Sequence, residues 1–209
     1  MNTESRLEHW QNVYATNPST AVSWYQDQAT TSMELVKPFL VDCHQAVLDV
    51  GGGASTFVDG LLTENCTDVS VLDISSAALQ VAQARLGADE SRVHWLVADL
   101  LTWVPQRQYN IWHDRAVLHF LTAHDDQSRY TALIADALAP GGHVVIGTFA
   151  PDGPTACSGL AVQQFDSNAV AGLLGPNFEV ITSRREGHLT PSRTTQAFEW
   201  TVLRRRNAA

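Results

Sequence analysis

The stretch WHDRAVLHF crowds four ionisable side chains together: His113, Asp114, Arg115 and, one helical turn further on, His119. Set among apolar residues, such a cluster has the composition of a site that moves a proton or orients a substrate. The plainer alternative is a set of charges satisfied by helix ends, with His113 alternating back into a sheet. Three further carboxylates, Asp49, Asp73 and Asp99, each close a short apolar run, in VLDV, VSVLD and VHWLVAD. Gly51, Gly52 and Gly53 follow the first of them, and then Ser55. Glycine permits positive φ and lets a ligand approach the backbone, and a helix that follows offers unpaired N–H groups. Together these residues predict a crevice that holds a small ligand through acids and bare backbone.

Acids at several strand ends converge only if the strands run parallel. Short apolar runs at 46–50, 69–73, 93–98, 109–114 and 143–149 alternate with helical stretches at about 56–63, 75–87 and 125–138. Runs apolar on both faces, with helices between them, mean a parallel sheet covered on both sides. The right-handed crossover rule makes it doubly wound, and in such sheets ligands bind where strands end and helices begin. Two more runs, 179–183 and 196–204, are joined by the turn-rich RREGHLTPSRTT, which predicts an antiparallel hairpin. Helices are also predicted over 4–16 and 31–40. The expected fold is α/β: a doubly wound sheet of seven strands, five parallel plus a C-terminal antiparallel hairpin. A helical cap, 1–30, precedes the core, 31–209, in one domain of 209 residues.

Two ligands suit the glycine turn. A dinucleotide needs G-x-G-x-x-G; Gly51 and Gly53 match, but Thr56 stands third. The spacing of Asp49, Gly51 and Gly53 more closely resembles the D-x-G-x-G-x-G motif of class I S-adenosylmethionine-dependent methyltransferases, with Ser55 in place of the last glycine. The resemblance runs from about residue 30 to 205, through the acid-tipped strands to LAPGGHVVIGTF; Ser55 and Asn110 depart from the pattern. It implies a Rossmann-like fold and S-adenosylmethionine as cofactor, with S-adenosylhomocysteine as product. On that plan Asp49, Gly51, Gly52, Gly53 and Ser55 hold the amino-acid end of the cofactor. Asp73, with Ile74 beside it, accepts from the ribose hydroxyls; the alternative is a helix cap, which Ser75 could supply instead. Asp99 accepts from the adenine amino group, and the backbone of Leu100 reaches the ring. Trp24 packs on the sulfonium. Trp10, Tyr25, Phe149 and Cys157, the last in the small-residue loop APDGPTACSGL, wall the acceptor pocket. His113, Asp114, Arg115 and His119 are the expected catalytic set. HWQNVYATNPSTAVSWYQ and WHDRAVLHFLT narrow the resemblance to a bacterial branch similar to the citrate synthase and elongation-factor lysine methyltransferases.

The formal net charge of −9 disfavours a phosphate-tracking surface, so nucleic acid is not an expected partner. No apolar run reaches the roughly 18 residues that cross a bilayer, and MNTESRLEHW lacks a basic-then-apolar start. A cytoplasmic location with no membrane partner is expected. Cys43, Cys66 and Cys157 form neither a CxxC pair nor a Cys/His cluster, so no disulfide framework and no metal are expected. The expected function is methyl transfer to a small-molecule nucleophile such as a thiol, by a monomer or homodimer. The alternatives are a protein lysine N-methyltransferase and a non-catalytic cofactor-binding regulatory domain. A thiol needs little help at neutral pH, whereas a lysine must first lose a proton.

Overall fold

The computed structural model describes residues 2–207. A seven-stranded sheet runs in the order β3-β2-β1-β4-β5-β9-β8. Its parallel part is β1 (Val47–Val50), β2 (Val69–Asp73), β3 (Val93–Val97), β4 (Tyr109–Arg115) and β5 (Leu138–Phe149). β9 (Thr195–Arg205) pairs antiparallel with β5 and with the edge strand β8 (Phe178–Leu189). β1 and β2 are buried at every position, as a sheet covered on both faces requires.

One face packs Leu48, Trp112 and Ile146 against Tyr130, Leu133 and Ile134 of α5 (His124–Ala137) and against α6 (Ser167–Leu174). The other packs Val47, Val71 and Ile111 against α2 (Thr30–Val36), α3 (Phe57–Thr63) and α4 (Ser76–Leu86). The chain winds outward from β1 to one side and from β4 to the other. This switch point leaves a crevice at the strands' carboxyl ends, the place where open α/β sheets bind ligands. α1 (Thr3–Thr16) buries none of its residues and lies over that crevice. A small hairpin, β6 (Ala156–Cys157) and β7 (Leu160–Ala161), forms part of its far wall.

Three features differ from the sequence expectation. α6 was not foreseen. The expected turn segment RREGHL is strand: Arg184, Arg185 and Glu186 pair with Trp200, Glu199 and Phe198, and the turn is confined to Thr190–Thr194. The PGG segment is part of β5, where Leu138 already pairs with Tyr109 and an irregularity between Tyr109 and Ile111 absorbs the extra length.

Candidate active site

The glycine turn is dictated by what lies around it. Gly51 has φ +62° and Gly53 φ +46°, in the left-handed region that favours glycine. A Cβ on Gly51 would lie 2.1 Å from Val117 Cγ2, and one on Gly52 would lie 2.4 Å from Asp49 Oδ2. Val117 comes this close because Ala116, with φ +73°, turns the chain leaving β4 over the loop. A left-handed alanine is a local strain that the surroundings must hold. Ser55, the departure from the glycine pattern, accepts a hydrogen bond from Phe57 N–H at 3.1 Å at the start of α3. Asn110, the other departure, accepts one from Ala46 N–H at 2.9 Å.

Beneath the loop, Asp49 Oδ1 lies 2.7 Å from His113 Nδ1, and His113 Nε2 lies 2.9 Å from Ser32 Oγ. The His113 ring stacks on Phe57 at 3.9 Å between centroids. His113 therefore joins β1, β4 and α2 under the crevice, the strand alternation that the sequence left open. Asp49 Oδ2 has no hydrogen-bond partner among the described residues.

The acids at the next two strand ends sit in different surroundings. Asp73 is buried, and its Oδ1 accepts from Ser75 N–H at 2.7 Å. Burial, aided by the charge of Asp49, pushes its carboxyl up to about 7. Ser75, not Asp73, caps α4, accepting from Ala78 N–H at 3.2 Å. Burial also pushes Asp99 upward, but bonds from Arg6 and Leu101 outweigh it and hold the carboxyl below its usual range. Arg6 Nη2 lies 2.6 Å from Asp99 Oδ2, so α1 fastens itself to the acid expected to meet adenine.

The crevice is a cavity with about 960 Å³ of atom-free space, partly open to solvent, within the range of small-ligand sites. Asp73, Ile74 and the segment from Ala98 to Leu101 line one end; Phe149, Cys157, Gln196 and Phe198 line the other. Trp10, Tyr14 and Trp24 form the roof. Trp10 meets Trp24 edge-on at 5.9 Å and Phe120 at 5.1 Å, and Trp24 Nε1–H donates to Tyr14 Oη at 3.2 Å. A smaller chamber beside Gly51 and Gly52 is lined by Tyr25, Ser55, Thr56 and Asp49. Arg115 and Trp24 border both spaces.

The cluster on β4 is divided. Arg115 faces the cavity. Asp114 lies on the opposite face of the strand, fully buried and outside the cavity lining. It accepts from Val117 N–H at 2.8 Å, from Leu118 N–H at 3.1 Å and from the Tyr130 hydroxyl. Those bonds fix the turn that carries Ala116 and Val117. Burial pushes the Asp114 carboxyl up to about 6. His119 is also buried beside the cavity and not in its lining; its Nδ1 accepts from Phe149 N–H at 3.4 Å. Burial, with the Arg115 charge, pushes His119 down to about 3, so it is neutral at physiological pH. Asp114 and His119 thus hold the walls of the crevice and do not open onto it.

Several lining residues were not in the expected set. Arg6 and Tyr14 share a helix face with Trp10 at spacings of four, a signal the sequence did carry. Gln196 and Phe198 reach the cavity from β9 by strand alternation, and only the pairing of β9 with β5 brings them there.

Comparison with known proteins places this geometry. Residues 47–142 match a family described as a methyltransferase domain. The trans-aconitate 2-methyltransferase of Methylobacterium radiotolerans is 29% identical over 175 residues, covering 78% of this chain and 64% of that protein. The chain therefore spans less than two thirds of that relative's length. A solved structure described as "Conversion of a Disulfide Bond into a Thioacetal Group during Echinomycin Biosynthesis" superposes with TM-score 0.76 at 18% identity, covering 97% of this chain and 94% of that one. The N-methyltransferase NodS of Bradyrhizobium japonicum WM9, in complex with S-adenosyl-L-homocysteine, gives 0.71 at 18%, covering 98% and 99%. Residues 47–142 thus match a methyltransferase domain, and the chain carries them on the fold that these solved structures share.

Proposed function

We propose that the protein transfers the methyl group of S-adenosylmethionine to a small-molecule nucleophile. The observation that carries this reading is the crevice itself: an acid-lined nucleotide end, a bare glycine turn, and an aromatic far end roofed by Trp10 and Trp24. The residues present suit the cofactor. Asp73 is buried at the strand end with a carboxyl of the kind that accepts from two hydroxyls, and the unpartnered Asp49 Oδ2 suits an ammonium group. Any Cβ on Gly51 or Gly52 would collide with the loop's surroundings. The bound cofactor supplies an electrophilic methyl group on a sulfonium, open to in-line attack. The chain's own contribution is alignment and exclusion of water, by the tryptophan roof and the wall of Phe149, Cys157 and Phe198.

A wall built on Phe149 and Phe198 suits a small acceptor, and the relative that acts on trans-aconitate by name is consistent with one. The resemblance to lysine methyltransferases keeps a protein lysine as the second reading, and the net charge of −9 suits a basic protein partner. Neither Asp114 nor His119 opens onto the cavity to deprotonate an acceptor, which favours a nucleophile that ionises unaided, such as a thiol. Incubating the protein with methyl-labelled cofactor and a cell lysate tests the proposal. Label in small molecules supports it; label in protein favours the second reading; no label anywhere, despite cofactor binding, leaves the regulatory alternative.

A further inference from the structure

We infer that Arg115 is the anion-binding group of the acceptor site, so that the molecule methylated carries a carboxylate as its handle. This rests on the methyltransferase reading and names the acceptor's chemical class.

Arg115 is the last residue of β4, and it enters the cavity with one donor used: Nη1 donates to the Trp24 carbonyl at 2.9 Å. Nε and Nη2 are buried and have no hydrogen-bond partner among the described residues. Those two nitrogens form the side-on edge of the guanidinium, the edge that takes both oxygens of a planar carboxylate. Holding a desolvated cation with that edge empty is unfavourable unless something arrives to fill it. The neighbouring acids are engaged elsewhere. Glu186 accepts from Trp200 Nε1–H at 2.6 Å and from Gln26 Nε2–H at 3.4 Å, and Asp49 holds His113 through Oδ1, leaving only Oδ2 without a partner among the described residues.

The surroundings of the empty edge belong to the acceptor end. The guanidinium carbon lies 4.9 Å from the centroid of the Phe198 ring. Gln196, two residues earlier on β9, lines the same cavity with an unpartnered Oε1. In an otherwise aromatic wall these are an anion fork and a lone acceptor, which together describe a flat molecule with one carboxylate and one hydrogen-bond donor. The methionine arm of the cofactor is the other possible source of a carboxylate, since Arg115 also borders the chamber beside the glycine turn.

Benzoate and benzamide, which share a ring and differ in charge, separate these possibilities. Each is titrated into the full chain saturated with S-adenosylhomocysteine, and the product itself is titrated alone. Benzoate is expected to bind about tenfold more tightly than benzamide, as a charge-assisted pair would give. Arg115→Met is expected to abolish that preference, to leave affinity for S-adenosylhomocysteine within about threefold, and to keep or raise Tm, since it removes two unsatisfied donors. Arg115→Lys, which keeps the charge and loses the fork, is expected to lower the preference and serves if the methionine variant does not fold. No preference in the wild type, or an undiminished one in either folded variant, overturns the inference. A loss of affinity for S-adenosylhomocysteine beyond about tenfold in Arg115→Met overturns it too, and assigns the guanidinium to the cofactor's own carboxylate. A wild type that does not bind S-adenosylhomocysteine at all brings down the methyltransferase reading and this assignment with it.

Discussion

Affinity for S-adenosylhomocysteine should be gated by the protonation of Asp73. Two ribose hydroxyls are donors, and the ionised carboxylate is the form that accepts from both. In the free protein that carboxyl is pushed up to about 7, so it is mostly ionised at pH 8 and mostly neutral at pH 6. Binding must then expel a proton at the lower pH, and affinity should fall about tenfold between the two. The same displacement acts on folding, with a definite sign. The folded-state value of about 7 lies above the usual 3.8, so the neutral form is the one that folding favours. That contribution is fully present below about pH 4 and is lost as pH climbs through 7. At about 1.4 kcal/mol per pH unit of displacement it amounts to roughly 4 kcal/mol. Asp73→Asn should therefore unfold at a higher temperature than wild type at pH 8, yet bind the product weakly and without pH dependence. Isothermal titration at pH 6 and 8, in two buffers of different ionisation enthalpy, measures both the affinity and the proton released. Wild-type affinity that is flat across this range, with no buffer dependence, would refute the reasoning.

Other expected outcomes follow from the surroundings of the crevice. Gly51→Ala puts a Cβ against Val117 at a backbone φ of +62°, and should lower stability by about 1–3 kcal/mol and weaken S-adenosylhomocysteine binding, measured by thermal denaturation and titration. Asp114→Ala removes an acceptor that serves Val117, Leu118 and Tyr130, and should cost about 1–3 kcal/mol in chemical denaturation. A variant that folds as wild type yet loses turnover would instead place Asp114 in the chemistry. His119 should show no titration between pH 5 and 8 in histidine NMR spectra, since burial holds it near 3. Tyr14→Phe breaks the bond from Trp24 and should reduce product affinity several-fold, on the scale of about 1 kcal/mol, with little change in Tm.

Much of this arrangement was legible in the chain. The run VSVLD coincides with β2, and the five parallel strands follow from runs that are apolar on both faces. Three acids at successive strand tips gather at one edge because parallel strands all end there. The division of the β4 cluster was less legible. Alternation says that His113 and Arg115 share a face and Asp114 takes the other, but not which face opens onto the crevice. That depends on α5 supplying Tyr130 to Asp114 and on β9 supplying Phe198 to Arg115, contacts 16 and many more residues away in sequence. α6 escaped because SNAVAGLL is short and mostly apolar, with no polar face to reveal its period.

The roof has a kinetic consequence. α1 buries no residue of its own; it is attached by Arg6 to Asp99, by Gln11 to Ser75 and Ser76, and by the rings of Trp10 and Tyr14. A helix fastened by a few polar and ring contacts, with no residue buried in the core, is one that lifts without unfolding the sheet. On the proposed function the cofactor lies under it, so exchange of spent for fresh cofactor would wait on that lifting, while methyl transfer would not. The slow step of the cycle would then fall after the chemistry. On rapid mixing with both substrates the expected time course is a burst, one methylated acceptor for each protein molecule, followed by a slower steady rate set by departure of S-adenosylhomocysteine.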